Sequence, residues 1–367
     1  MKKVWQKLKA TLPISLFYLA MNVLLAPAAI GGEYTYTKII PPGWAAIAPV
    51  SFGDINGYGD LVASGFDGTS QKSFVYSKGS YTPLLPPGSS MVGATGINNK
   101  GIVVGGAFNG SSSRAFQYDK GSYKELLPQG WSSSFANGIN NNGDIVGSGT
   151  NGFSSRGFLY SGGSYTEILP QGWSSANASG INNNGTVVGG GFDRIGKGFM
   201  YSNGTYIELL PPRWSSAHAN SINDSGMVVG RGYQGTGKGF IYIDGTYIEL
   251  LPPGWDYAFA IDINNKGEVV GYGNDGVGLG TKGFIYKDGD YIEILPTDWQ
   301  YSHLFGINDS GEIAGGGYDG LTSKAFIGIP KEDSPAPIPT PEPSTFFLLG
   351  VGLAGAGLLR KKIWRQT

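Results

Sequence analysis

Apolar and polar side chains alternate in short runs along most of this chain, broken by Gly, Asn and Ser, a texture of strands and turns rather than helices. Residues 135–139 read as one strand, and Asn140-Asn141-Asn142-Gly143 as a tight hairpin turn of residues that tolerate positive φ. Residues 144–149 make a second strand and 156–160 a third. Ser161-Gly162-Gly163 then turns the chain into a fourth strand, 164–169, which Pro170 stops. In that fourth strand Glu167 lies between apolar neighbours and is expected to point to solvent, as are Glu125, Glu208, Glu249 and Glu293 in the equivalent strands.

The same text recurs. An Ile-Asn pair stands at residues 55, 97, 139, 181, 222, 263 and 307, and a phenylalanine keeps the same beat at Phe74, Phe116, Phe158, Phe199, Phe240, Phe284 and Phe326. Four antiparallel strands in about 42 residues is one blade of a β-propeller, and seven copies predict an all-β, seven-bladed ring over residues 29–330. The last copy runs out after Ala325-Phe326-Ile327, without the Tyr-x-Glu-x-Leu-Pro strand of its predecessors. The missing strand stands ahead of the first copy, as Tyr36-Thr37-Lys38-Ile39-Ile40-Pro41. Pairing the two closes the ring and removes exposed strand edges, whereas the competing open β-solenoid gives the displaced strand no purpose.

Both ends differ from the body. Residues 1–28 carry Lys2 and Lys3, an apolar stretch from Leu12 to Ala20, and the small-residue site Ala26-Pro27-Ala28, the design of a secretory signal. The partners this implies are the Sec translocon and signal peptidase. Residues 331–341 alternate proline with small residues, an extended spacer. Residues 342–367 hold an apolar stretch, 346–359, ahead of Arg360, Lys361 and Lys362, a short transmembrane helix whose cationic end stays in the cytoplasm.

Pro341-Glu342-Pro343, the apolar stretch and the basic cluster together resemble the PEP-CTERM sorting signal of Gram-negative bacteria. The resemblance implies an exosortase as partner, acting near the Pro-Glu-Pro, and delivery to the outer surface or extracellular matrix. It also admits an ice-binding module. The body text, as in INNNGTVVGG and KGFMYSNGTY, is similar to HAF-type extracellular repeats, although Leu-Leu-Pro stands where those commonly have Asp-Leu-Gly.

Composition narrows the function. Eight basic residues lie in the two ends, and setting them aside leaves 18 basic against 27 acidic residues, a balance of −9 that argues against nucleic acid. With no cysteine, stability must come from packing and closure. Catalysis needs a set of unequal groups in one place, and no residue pair identifies itself, so neither an enzyme nor a cofactor is expected; a polysaccharide hydrolase is the alternative outside binding.

Binding residues are sought in the loops. Trp44, Trp131, Trp173, Trp214, Trp255 and Trp299 each follow the proline that ends the fourth strand, and Ser89 replaces the indole in one copy. They are read in two ways: as a lectin-like face stacking on surface or extracellular polysaccharide, or as wedges packed between blades. Four residues after each indole the chain varies, offering Phe135, Asn177, His218, Phe259 and His303, with both histidines as ligand contacts at a channel mouth or as solvated loop residues. Residues 53–60 resemble an Asp-x-Asn-x-x-Gly calcium loop with Asp54, Asn56 and Asp60 as oxygen donors. Tyr58 stands where another oxygen belongs, which favours plain turn chemistry, and no other metal site is expected.

Overall fold

The computed structural model describes residues 34–44, 53–276 and 280–331. The signal segment and almost all of the spacer and sorting segment, including Pro341, Glu342, Pro343, Arg360, Lys361 and Lys362, therefore lie outside the described residues. Among the described residues no helix is long and apolar enough to cross a membrane.

Twenty-eight described strands form seven antiparallel sheets of four, the seven-bladed propeller that the repeats predict. Blades 1 to 6 span residues 54–84, 91–126, 133–168, 175–209, 216–250 and 257–294 in chain order. Blade 7 is built from Tyr301–Ile307, Ile313–Tyr318 and Ser323–Pro330, with Tyr34–Ile39 as its outermost strand. That strand runs antiparallel to Ser323–Pro330, from Tyr34 opposite Pro330 to Ile39 opposite Ala325. The ring is thus sealed by the segment that precedes the first copy, as its displaced position requires.

The core lies between blades. Val146 and Ile168 of blade 3 pack with Ala176, Ala178, Val187 and Phe199 of blade 4, and Trp173 joins them from the connecting loop. The periodic phenylalanine is fully buried in blades 1, 3, 4, 5, 6 and 7. Apolar groups thus leave water on both faces of each sheet, which is how a ring of small sheets acquires a continuous core.

The turn between the first two strands works differently from its sequence reading. Among residues 140–143 only Gly143 has a positive φ, at 100°. The buried Asn140 instead organises the loop with its side chain, Oδ1 accepting from the N–H groups of Asn142, Gly143 and Asp144. The tight hairpin with two positive-φ residues is the other one, between the third and fourth strands, at Gly162-Gly163, Asn203-Gly204 and Asp244-Gly245.

The Ile-Asn asparagines also join the blades. Nδ2 of Asn56 donates to the backbone oxygen of Asn98, Asn98 to Asn140, Asn140 to Asn182, Asn182 to Asn223, Asn223 to Asn264 and Asn264 to Asn308, at 3.0 to 3.2 Å. Asn308 then donates to Asn56 O at 3.0 Å, closing a seven-membered ring of amides. We call this end of the propeller the amide face. Tyr34 reaches it through a bond from its hydroxyl to Gly311 O, so Tyr34 and Pro330, paired with each other, both lie there. The loops that carry tryptophan and the hairpins between the second and third strands form the opposite, loop face, as the bond from Ser174 N to Phe192 O illustrates.

Candidate functional site

The inner strand of each blade borders a central channel of about 1060 Å³. Each inner strand of blades 2 to 7 shifts register two to three residues before its Ile-Asn pair, as between Ala136 and Gly138. Such a bulge bends the strand and re-aims the side chains around it.

Two registers line the channel, and they divide it into unlike walls. Blades 2 to 5 supply mainly hydroxyls and amides, Thr95, Asn137, Asn177, Ser179 and Asn220, with Phe135, His218 and Arg231 among them. Thr95, Asn137 and Asn220 each donate to a backbone oxygen of the next blade, at 2.8, 2.7 and 2.6 Å. With one N–H engaged in this way and the NH2 so oriented, the amide of Asn137 or Asn220 has Oδ1 and its second N–H left for a ligand. Blades 6 and 7 supply rings. His303 stacks on Tyr272 with centroids 4.2 Å apart, and Tyr301 and Phe305 stand around it at 5.7 and 6.0 Å.

Both histidines sit on inner strands, Ser216–Ile222 and Tyr301–Ile307, not on loops, which corrects the solvated-loop reading. The imidazole of His218 covers Gly190 of the preceding blade, where an added Cβ would lie 2.1 Å from Nδ1. Burial, and after it the charge of Arg231, hold the His218 pKa down to about 4. Burial likewise brings His303 down to about 4. At neutral pH both rings are uncharged. His218 Nε2 shares a hydrogen bond with Ser179 Oγ at 2.9 Å, and His303 Nε2 one with Thr281 Oγ1.

Two carboxyl groups enter the wall near the amide face. Asp54 accepts from the N–H of Ile97 in the next blade and of Ile55, at 3.1 and 2.8 Å. Asp262 accepts from Ile307 N, also one blade on, and from Ser221 Oγ, at 3.0 and 2.7 Å. Burial and then the charge of Asp262 push Asp54 up to about 7, and burial raises Asp262. The calcium reading is corrected at this point: Asp54 is turned to the next blade, while Asn56 donates Nδ2–H to Asp60 Oδ2 and uses Oδ1 for the N–H groups of Tyr58 and Asp60. Asn56 thus spends its amide within the loop, and among the described residues no group of three or more His, Cys, Asp or Glu side chains that could hold a metal ion forms.

The indoles do not offer an open stacking face. Trp173, Trp214 and Trp299 are only 8%, 7% and 6% exposed, and Trp44, Trp131 and Trp255 are half-buried. Each lies edge-on to the buried phenylalanine of its own blade, Trp173 to Phe199 at 6.1 Å and Trp299 to Phe326 at 5.4 Å. The wedge reading describes their geometry; the lectin-like face on these residues does not.

Sequence reasoning had found the register of Phe135, Asn177, His218, Phe259 and His303. It passed over Arg231, Tyr272, Asp262 and the Thr95-to-Phe305 register. The signal was present: where most copies have Gly or Ser, as at Gly106, Ser148, Gly190 and Gly316, two copies have Arg231 and Tyr272. Departure from a repeat marks positions that packing leaves free.

Among solved structures the chain is similar to a streptogramin B lyase, at 13% identity with a TM-score of 0.53, covering 80% of this chain and 97% of that one. It is also similar to the propeller domain of the trilobed protease of Pyrococcus furiosus, at 13% and 0.54, covering 80% and 98%. A third is YCF48 bound to D1 peptide, at 13% and 0.53, covering 82% and 98%. At such identities the likeness establishes the propeller fold alone. No curated protein sequence matches the chain. Residues 339–362 match the family model described as the PEP-CTERM protein-sorting motif. The chain carries a PEP-CTERM motif. That motif implies an exported protein sorted through the membrane by an exosortase, so the propeller is the cargo of a PEP-CTERM address.

Proposed function

We propose that this PEP-CTERM protein is a surface or matrix component that binds a glycan in its central channel. The observation that carries the reading is that one 1060 Å³ channel combines a cluster of rings, Tyr272, Tyr301, His303 and Phe305, with a stretch of wall rich in hydroxyls and amides. Sugars have apolar faces that stack on rings and hydroxyl edges that need paired donors and acceptors, and a channel with both suits them. The neutral histidines strengthen it, since they add ring surface and hydrogen bonding without charge. The likeness of the repeats to HAF-type extracellular repeats points to the same compartment.

A glycan array probed with the mature protein tests the reading. Tyr272→Ala is expected to weaken retention of the bound glycan by roughly tenfold or more while the protein stays folded, the usual worth of a stacking ring in a buried site. Retention of no glycan, or unchanged retention by the variant, overturns it.

Asp54 and Asp262 favour hydrolysis as a second reading. A carboxyl group whose pKa lies near 7 beside a second carboxyl in one cavity is the proton donor that glycoside cleavage requires. Release of reducing ends from the retained glycan, abolished by Asp262→Asn, is its test; an intact glycan after prolonged incubation excludes it.

A further inference from the structure

We propose that a groove between blades 4 and 5 seats a carboxylate-bearing sugar of a glycan chain that continues into the channel. The proposal rests on the glycan reading and adds the chemical class of the sugar and its place.

The groove, about 500 Å³, is lined by Ser175, Asn177, Gly196, Ser216, Arg231 and Tyr233. Asn177, His218 and Arg231 border both groove and channel, so the two cavities are neighbours along the same side chains. Glycine floors it for a steric reason. A Cβ on Gly190 would strike His218, and one on Gly191 or Gly232 would stand 2.7 Å from Cε3 of Trp173 or Trp214. The buried indoles thus leave bare backbone where a ligand can lie.

Arg231 supplies the specificity. The cations on the third strands are matched to the outward-pointing glutamates: Arg114 to Glu125, Arg156 to Glu167, Lys197 to Glu208, Lys238 to Glu249 and Lys282 to Glu293, at 2.7 to 3.4 Å. Among the described residues no carboxylate stands within ion-pair distance of Arg231, which is exposed in a body where acidic residues outnumber basic ones. The face of Phe259, 5.6 Å away, supports the guanidinium without using its N–H donors. A planar fork of free donors matches a carboxylate better than any neutral sugar group.

The surrounding groups complete the recognition. Asn177 Oδ1 accepts from Ser155 Oγ at 2.6 Å, which leaves the NH2 as a donor. Among the described residues the hydroxyls of Ser175 and Ser216 have no protein partner. Tyr233 is 51% exposed and braced edge-on against Phe259 at 6.1 Å, a ring face at the outer end of the groove. Donors, one cation and one ring suit a uronic acid.

Hexasaccharides of galacturonate, mannuronate and glucuronate, each beside its carboxyl-reduced counterpart, are the probes, measured by calorimetry on the mature protein. At least one acidic form is expected to bind roughly tenfold or more tighter than its reduced form, the worth of a charge-assisted pair. The preference should shrink as salt rises and vanish in Arg231→Gln. Gly196→Leu should lower hexasaccharide affinity by a similar factor, since a Cβ at Gly196 meets only Ser216 Cβ, at 3.5 Å, and the side chain then fills the groove without strain. Equal affinity for acidic and reduced forms in the unaltered protein overturns the proposal, as does a preference that survives Arg231→Gln. Binding of neutral glycans with no preference defeats the groove and leaves the channel reading intact; binding of no glycan at all defeats both.

Discussion

The indole of Trp173 lies against Gly191 so closely that a Cβ there would stand 2.7 Å from Cε3. Trp214 with Gly232 and Trp299 with Gly317 repeat the contact at 2.7 and 2.6 Å. In blade 2, where Ser89 replaces the indole, Ala107 replaces the glycine and is accommodated at 8% exposure. A backbone oxygen would lie closer still, Ser175 O at 2.1 Å from a Cβ on Gly191, so the ring is one of two groups that hold the position to glycine, and blade 2 lacks the ring.

That pairing predicts a coupled substitution. Ser89→Trp alone is expected to destabilise by about 1–3 kcal/mol through overpacking against Ala107. Adding Ala107→Gly should recover most of that loss, giving a coupling of the order of 1 kcal/mol in a double-mutant cycle read by urea unfolding. Independent effects would show that the pair is not in contact.

The amide ring predicts a cost at each member. Asn140→Ala removes the donor to Asn182 O and the acceptor of three backbone N–H groups in its own turn. A loss of about 2–4 kcal/mol is expected from stranding several buried polar groups at once, measured by chemical denaturation. Asn140→Asp keeps the acceptor but sets a carboxylate against Asp144 Oδ2, to which Nδ2 donates at 2.9 Å, so at neutral pH it should cost at least as much as Asn140→Ala and recover as pH falls.

The ionisable groups of the channel act in opposite senses with pH. Asp54 has a folded pKa of about 7 against 3.8 unfolded, so its contribution is fully present below pH 3.8 and is lost as pH rises through 7. His218 has a folded pKa of about 4 against 6.5, so it favours folding above pH 6.5 and that contribution is lost as pH falls toward 4. The two offset each other in the unaltered protein, and variants separate them. Relative to it, Asp54→Asn should gain stability as pH rises from about 4 to 7, and His218→Gln should gain as pH falls from 6.5 to 4. Melting curves across that range check both slopes.

Closure predicts a gross effect of a small deletion. Removing residues 34–39 exposes the edge of Ser323–Pro330, which ends up without its partner. The truncated chain is expected to self-associate, seen as a rise in scattering mass, because an open edge strand pairs with whatever strand it meets.

Much of the fold was legible because each blade is specified locally. Residues 155–168 alternate and turn as a hairpin whichever ring they join, and Tyr36-Thr37-Lys38-Ile39 announced its partner by matching a strand the last copy lacks. Less of the site was legible. His218 and Arg231 lie opposite each other in one blade, and only blade-to-blade packing brings Gly190 beneath the imidazole and Phe259 beneath the guanidinium.

By itself the sequence determined the number of blades, the closing strand and the sorting address, since periodicity and short motifs are properties of neighbours along the chain. Tertiary structure decided that the tryptophans are wedges, that the Ile-Asn amides form a ring, and that both histidines line the channel uncharged. Those facts depend on which residues face each other across a blade junction. Chain order does not contain that distance until the ring has closed.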